Sequence, residues 1–446
     1  MTTAASTSTD VSSLQRRTVT VLSGSQAFGA IGVASGIAVG TLLAADVSQS
    51  DALAGLAQTG TVLGAALAAV PLSRLMAARG RRWGLVVGYA IAVVGALLVL
   101  GSTIASAEGL PTAAAFPLLL VGMCCFGSAT AAGLLARYAA IDLAAPERRS
   151  TALSIVVWSG TIGAVVGPNL AEPGGSLARS LGLPALAGPF LFSVVAFVVG
   201  MALLQILLRP DPLLLARQLA DVRKESGPQQ ESPVGTSMPL LALLDLVRRT
   251  PRALLGLLAV AVGHTAMVAV MVMTPIHMDH GGAALRVIGL VISVHVAGMF
   301  AFSPVVGWFA DAVGRIRVIA AGAVLLLLSA AVAGLAPSHA SGQLGVGLFL
   351  LGLGWSCCLV AGSTLLSESV PVAVRPGVQG ASDLVMGLCA AVGGALSGVV
   401  LGVFGYGPLN LLAAVLVVVL LVGVVATTRG AESTIRAGAS GPGAGL

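Results

Sequence analysis

The stretch 264–280 reads HTAMVAVMVMTPIHMDH and carries His264, Met267, Met271, Met273, His277, Met278 and His280; HVAGM follows with His295 and Met299. The chain has only 5 His and 11 Met, so more than half of these residues fall within one short segment. Thioether, thiolate and imidazole form the donor set that selects Cu(I). At about 100° per helical residue, His264, Met267 and Met271 lie within about 60° of one another. Met267 and Met271 make an M-x-x-x-M pair, and His295 and Met299 repeat that spacing as H-x-x-x-M. Two such pairs on consecutive antiparallel helices can converge on one ion. Met273 points elsewhere and is expected to pack. Pro275 is expected to kink the helix near its outer end, leaving His277 and His280 as residues of the outer mouth. The alternative is packing, because Met is a common filler of apolar cores, or an adaptable cavity for an organic solute. His295 resists the filler reading, since an unpaired imidazole deep in an apolar span is costly.

The elements that carry these residues are membrane helices. The chain is 57% hydrophobic and 9% charged, where soluble domains carry about 25% charged residues. Apolar runs long enough to cross a bilayer recur throughout. The patterning predicts an all-α membrane protein of twelve spans, at 18–45, 53–75, 83–105, 112–138, 151–170, 189–208, 253–277, 286–309, 317–336, 343–366, 378–402 and 407–427. The predicted organisation is a disordered tail (1–17), a six-helix half (18–208), a linker (209–252), a second six-helix half (253–427) and a tail (428–446). Within the linker, LLLARQLADVRK and LLALLDLVRR read as amphipathic helices on the membrane surface. With both termini cytoplasmic, all but Arg179 and Arg286 of the 23 Lys and Arg fall on the cytoplasmic side, as the positive-inside rule requires. Arg137, Asp142, Glu147, Arg148 and Arg149 read as loop charges. No basic patch with interleaved aromatics is present, so nucleic acid is not an expected partner. The five cysteines all lie in apolar segments, which argues against a disulfide framework. A cleaved leader is not expected, because the run after Arg16 and Arg17 is too long for one.

The two halves echo each other. SRLMAARGRR (73–82) and GWFADAVGRIR (307–317) align with Gly80 on Gly314, 234 positions apart, as a parallel repeat about the membrane normal would give. The second loop resembles the signature loop of the major facilitator superfamily, with Gly307, Asp311, Gly314 and Arg315 at its motif positions. The resemblance implies the twelve-helix major facilitator fold, transport by alternating access between the halves, and a gate contact in which Asp311 accepts from a helix N-terminus of the other half while Arg315 bridges to it. In the first copy Ser73 replaces the first Gly and Ala77 the Asp, which puts a charge latch there in doubt. GTIGAVVGP (160–168) resembles the family's glycine–proline motif, with Gly163, Gly167 and Pro168 as packing or gating residues. In the fourth span MCCFGSA (123–129) has Met123 where many proton/drug antiporters of the superfamily carry Arg. That argues against a standard antiporter and puts Met123, Cys124 and Cys125 at that level.

Met267/Met271 and His295/Met299 are similar to the motifs of the CcoA-like copper importers, a branch of this superfamily. That resemblance implies copper uptake across a bacterial inner membrane, with those four residues as metal ligands; the shared face of His264 and the soft sulfur donors of Met123 and Cys124 add these three as substrate-binding candidates. Relatives of the branch are thought to carry riboflavin, so a vitamin or a drug is the alternative substrate. Asp383, in the eleventh span, is the candidate for proton coupling, with Glu368 behind it; the simpler role for both is hydrogen bonding near the cytoplasmic surface. Cys357 and Cys358 read as transient ligands or packing. There is no nucleotide-binding loop and no catalytic constellation, so neither an enzyme nor a cofactor is expected. A sensor would need a large extramembrane domain, and no stretch reads as one. The chain is expected to act as a monomer in the bilayer on a small molecule or a metal ion.

Overall fold

A computed structural model describes residues 2–49, 51–225 and 238–439. Ala- and Leu-rich runs without internal stops form long helices, and no strand occurs among the described residues. In chain order the helices are α1 (Thr2–Ser48), α2 (Asp51–Arg79), α3 (Arg81–Ala107), α4 (Thr112–Phe126), α5 (Ser128–Ala139), α6 (Arg149–Trp158), α7 (Gly160–Asn169), α8 (Ala171–Ser180), α9 (Gly188–Leu207), α10 (Pro212–Glu225), α11 (Leu240–Arg249), α12 (Pro251–His280), α13 (Leu285–Phe300), α14 (Ser303–Val313), α15 (Arg315–Gly334), α16 (Ser341–Glu368), α17 (Arg375–Phe404) and α18 (Tyr406–Ala439). Among the described residues eleven stretches are long and apolar enough to cross a membrane, and α1, bent by 45° between Ile37 and Leu42, makes a twelfth when its two parts are taken as one span.

Three spans are each built from two helices with a break in between. α4 gives way to α5 at Gly127, where a Cβ would collide with the Thr61 carbonyl of α2. α6 gives way to α7 at Ser159. α13 ends ahead of Pro304, which has no N–H to continue the ladder; the Ser303 hydroxyl donates back to the Phe300 carbonyl at 2.8 Å. Pro275, by contrast, lies inside an unbroken α12.

The repeat is visible in the backbone. Gly80 and Gly314 precede α3 and α15 with φ of 92° and 100°, a region that disfavours residues with a Cβ. Within the first half α1 packs on α9 and α7, and within the second α12 packs on α16, α17 and α18. Across the halves α2 meets α17 and α6 meets α14.

Two expectations change. α1 begins at Thr2, so most of the residues read as a disordered tail extend the helix ahead of its apolar segment, which starts at Ser12; no Gly or Pro interrupts them. At the other end α18 reaches Ala439, and residues 440–446 lie outside the described residues, as do linker residues 226–237. The linker helices lean on protein as well as facing outward. α11 buries Leu243 and Val247 against Leu366, Val370 and Val378. The Asp211 carboxylate, just ahead of α10, accepts from the Arg82 amide of α3 at 2.8 Å.

Candidate substrate site and gate

On α12, Met267 is buried and Met271 half-buried, as their shared face predicts. His264 accepts at Nδ1 from the Trp355 indole N–H of α16 at 2.9 Å. That bond consumes its lone pair and leaves Nε2 as the protonated nitrogen of the neutral ring. Phe300 meets Trp355 edge-on at 5.6 Å and stands 3.6 Å from where a Cβ on Gly160 of the first half would be. His264, Trp355 and Phe300 therefore form an aromatic and imidazole cluster about halfway along their spans.

His295 is fully buried. Its Nδ1 lies 2.8 Å from the Leu348 carbonyl of α16, so Nδ1 carries the proton and Nε2 a lone pair. Nε2 has no partner. Met299, one turn on, is buried, and α13 runs so close to α16 here that a Cβ on Gly352 would strike the His295 carbonyl. Met273 and Met278 are core residues. His277 is not a free mouth residue: it stacks on Tyr406 at 4.2 Å and its Nε2 meets the Ala336 carbonyl at 3.2 Å. Met123 is buried against Gly40 of α1 and Gly60 of α2, within its own half, and Cys124 is half-buried beside it. Cys357 and Cys358 pack on Gly322 of α15.

One to two turns closer to the loops after α2 and α14 lies the main departure from the sequence reading. Arg137 is no loop charge. It is buried in α5 and pairs with Asp383 of α17 at 2.5 Å, the two side chains each 1% exposed. Its Nε donates to Ser363 Oγ of α16 at 3.2 Å, and its remaining donors go to the Leu134 carbonyl and the Tyr138 hydroxyl. The guanidinium lies 4.4 Å from the centre of the Tyr138 ring and within electrostatic reach of His264. Asp383 Oδ2 has no partner. A buried arginine and a buried aspartate are rare unless paired. That rule marks Asp383 as needing a cation, and Arg137, one residue inside the predicted fourth span, was the signal available.

Closer still to that end, Asp142 is likewise no free loop charge: it holds Arg81 at 2.8 Å with both side chains enclosed. Arg81 also crosses to α17, donating to Gln379 Oε1 at 2.8 Å. The signature loop sits beside this pair. Asp311 accepts from the Ser150 and Thr151 amides at 3.0 and 2.8 Å and from Thr151 Oγ1 at 2.7 Å, as the motif implies for a helix N-terminus of the other half. Arg315 bridges Asp311 and Glu368 at 3.1 and 3.0 Å and donates to the Pro146 carbonyl, and Arg149 reaches Glu368 at 3.5 Å. A Cβ on Gly307 would collide with Ser154 Oγ. In the first copy the glycine has changed sides: Ser73 fills that position, and the facing Gly380 of α17 would collide with it if it bore a Cβ. The seam keeps one residue without a side chain on each flank. Gly163 and Gly167 let α7 approach Ala30 and Ala34 of α1, a contact within one half, with Pro168 following inside α7.

Each hydrogen bond between the halves described here lies in this Arg-rich end of the molecule, so the halves are clasped there. A repeat of six spans, a glycine-turned loop in each half and a small-residue seam form a pattern that comparison with known proteins identifies. The Major Facilitator Superfamily model matches residues 20–284 and 256–442. The chain is 37% identical over 418 residues to the uncharacterized MFS-type transporter YdeG of Bacillus subtilis strain 168, covering 94% of this chain and 93% of that one. It is 29% identical over 409 residues to the riboflavin transporter RfnT of Brucella anthropi, covering 91% and 94%. The proton:xylose symporter XylE superposes with a TM-score of 0.66 at 15% identity, over 91% of this chain and 95% of that one. The chain is a multi-pass membrane protein and belongs to the major facilitator superfamily of transporters.

Proposed function

We propose that this chain is a proton-coupled secondary transporter of a bacterial plasma membrane, with both termini and the Arg-rich end in the cytoplasm. Its halves, 18–208 and 253–427, rock about a substrate held at the level of His264, Trp355 and Phe300. The observation that carries this reading is the Arg137–Asp383 pair, one carboxylate oxygen on a guanidinium across the seam and the other free. With Asp383 ionised, separating the halves breaks a buried charge-assisted contact that contributes about 1.5–3 kcal/mol. A proton on Oδ2 neutralises the carboxylate and loosens the pair, so opening towards the cytoplasm follows protonation, and proton loss resets the clasp. Asp311 and Arg315, at the α6 N-terminus, are the gate beside it.

Two substrate classes fit. A planar heteroaromatic solute is favoured by the Phe300 and Trp355 rings, by the donor at His264 Nε2, and by the relative named as a riboflavin transporter. Copper(I) is favoured by His295, whose Nδ1–H on a backbone carbonyl and bare Nε2 repeat the arrangement of metal-ligating histidines, with Met299, Met267 and Met271 as thioether donors. Uptake of riboflavin and accumulation of copper, measured in cells with wild type, Met267→Leu, His295→Ala and His264→Ala at equal expression, separate the two. Copper accumulation unchanged in the first two variants and in a deletion strain ends the copper reading. Flavin uptake unchanged in His264→Ala and in the deletion strain ends the other. Transport that stays insensitive to a collapsed pH gradient removes proton coupling.

A further inference from the structure

Below the Arg137–Asp383 pair the halves are held a second time, and in a chemically different way. Gln379 lies one turn before Asp383 on α17, and Ser367 one turn after Ser363 on α16, about 6 Å along each helix. Each level takes one arginine from the first half. Arg137 meets Asp383 and Ser363. Arg81 meets Gln379 at 2.8 Å, and Gln379 Nε2 donates to Ser367 Oγ at 3.0 Å. Ser367 in turn donates to the Ser363 carbonyl at 2.9 Å, so the two levels are joined through α16. The Gln379 amide can face only one way, since a flipped amide would set its NH2 against the guanidinium.

The levels differ in where the counter-charge sits. Asp383 is across the seam from Arg137. Asp142, which neutralises Arg81 with bonds of 2.8 and 3.1 Å, belongs to the first half and moves with it. Only a neutral acceptor crosses the seam at this level. We infer that the Arg81–Gln379 contact is a proton-insensitive clasp, and that Gln379 is a positioning residue that sets how far protonation of Asp383 opens the cytoplasmic end. This inference rests on the proton-coupled reading above. Parting the lower level leaves Arg81 still paired and loses one charge-assisted hydrogen bond. Its strength therefore biases the closed state by a constant factor at every pH, and of these two levels only the upper one adds proton dependence. A carboxylate at 379 would turn the lower level into a second titrating pair.

The charged and titratable groups around these positions are few. Arg137 and Tyr138 face Asp383 from α5, and His264 reaches Arg137 from α12. Arg81 from α3 and Asp142 from the loop after α5 face Gln379. Arg375 of α17 itself is within electrostatic reach of Arg81, Asp142, Arg149 and Glu368. α2 brings Ser73 against Gly380 and Arg74 beside Val374 and Gly377. The Asp245 carboxylate of α11 is taken by Arg248 and Arg249, and Tyr406 of α18 is engaged with Thr274.

The test uses the full chain in lipid nanodiscs without added solute. Spin labels go on Arg79→Cys and Arg317→Cys, both exposed, with Cys124, Cys125 and Cys389 changed to Ala. Pulsed EPR then reads the distance across the cytoplasmic end between pH 8 and pH 5. Wild type is expected to open as pH falls, with the steepness of one proton. Gln379→Met keeps the volume and removes the acceptor, and should raise the open-to-closed ratio about tenfold at every pH with the same steepness. Gln379→Glu should lower the open fraction at high pH and steepen the transition towards two protons. Wild-type distances and steepness in both variants would overturn the inference, as would a tenfold change in Gln379→Met that appears only at one end of the pH range. Should one variant fail to fold, the other still decides. A wild type that opens equally at every pH refutes the proton-coupled reading of Asp383. The constant offset in Gln379→Met then still shows whether position 379 clasps the halves.

Discussion

Asp311→Ala tests the proposed gate most directly. The Asp311 carboxylate, 6% exposed, accepts three hydrogen bonds from Ser150 and Thr151, all crossing the seam. On the proposed alternating-access reading they exist only while the Arg-rich end is closed, so their loss should change the balance of states rather than the fold of either half. A bond to a charged group contributes about 1.5–3 kcal/mol, and an N-cap about 0.5–2 kcal/mol. The three do not add, because in the open state water returns to both amides and the carboxylate. About 3 kcal/mol for the set is a fair figure, which at about 1.4 kcal/mol per tenfold is roughly a hundredfold shift towards open. Arg315 keeps Glu368 at 3.0 Å, so no stranded charge inflates the effect. Asp311→Asn retains one acceptor oxygen and loses the charge, and should shift the balance by about half as much in free energy. The Arg79/Arg317 spin-label pair reads both variants, with thermal unfolding as the control. A closed-state population equal to wild type in Asp311→Ala, or a drop in thermal stability with no change in distances, would refute the reasoning.

Gly307→Val puts a branched side chain into Ser154 and the Ser150 carbonyl; it should block closure and abolish transport while the protein still inserts and folds, measured by transport and by label distance. Gly163→Val meets Ala30 within one half, so overpacking should lower stability by about 1–3 kcal/mol, seen as a reduced unfolding temperature, with the open-to-closed ratio of surviving protein near wild type. Asp383→Asn imitates the protonated acid: the cytoplasmic end should be more open at high pH and its opening should no longer respond to pH, and a retained pH response would exclude Asp383 as the titrating group. The sign follows from the pair, since the ionised carboxylate holds Arg137 and proton binding at low pH releases it. Asp211→Ala frees the Arg82 amide and the α10 start, and should cost about 1 kcal/mol of stability with little effect on the distance between halves.

The sequence by itself determined the number of spans, the two-half repeat and the signature loop, because these depend on local properties. Hydropathy over about 20 residues marks a span whatever it touches, and Gly80 and Gly314 are readable because a backbone with φ near 90–100° disfavours any side chain. Asp311 was legible for the same reason, as a carboxylate at fixed spacing in a recognisable loop. The shared faces of Met267/Met271 and His295/Met299 followed from helical periodicity. What occupies those faces did not: Trp355 on His264 and the Leu348 carbonyl on His295 come from α16. Arg137 looked like a loop charge because hydropathy cannot tell the last turn of a span from the loop after it. Its partner lies 246 residues away on a helix whose neighbours are set by how two six-helix bundles pack. Ser73, read as a lost glycine, proved to be half of a contact whose glycine is Gly380. Only the tertiary structure decides such pairings, because a close approach or an ion pair is a property of two surfaces, and a single stretch of sequence describes one of them.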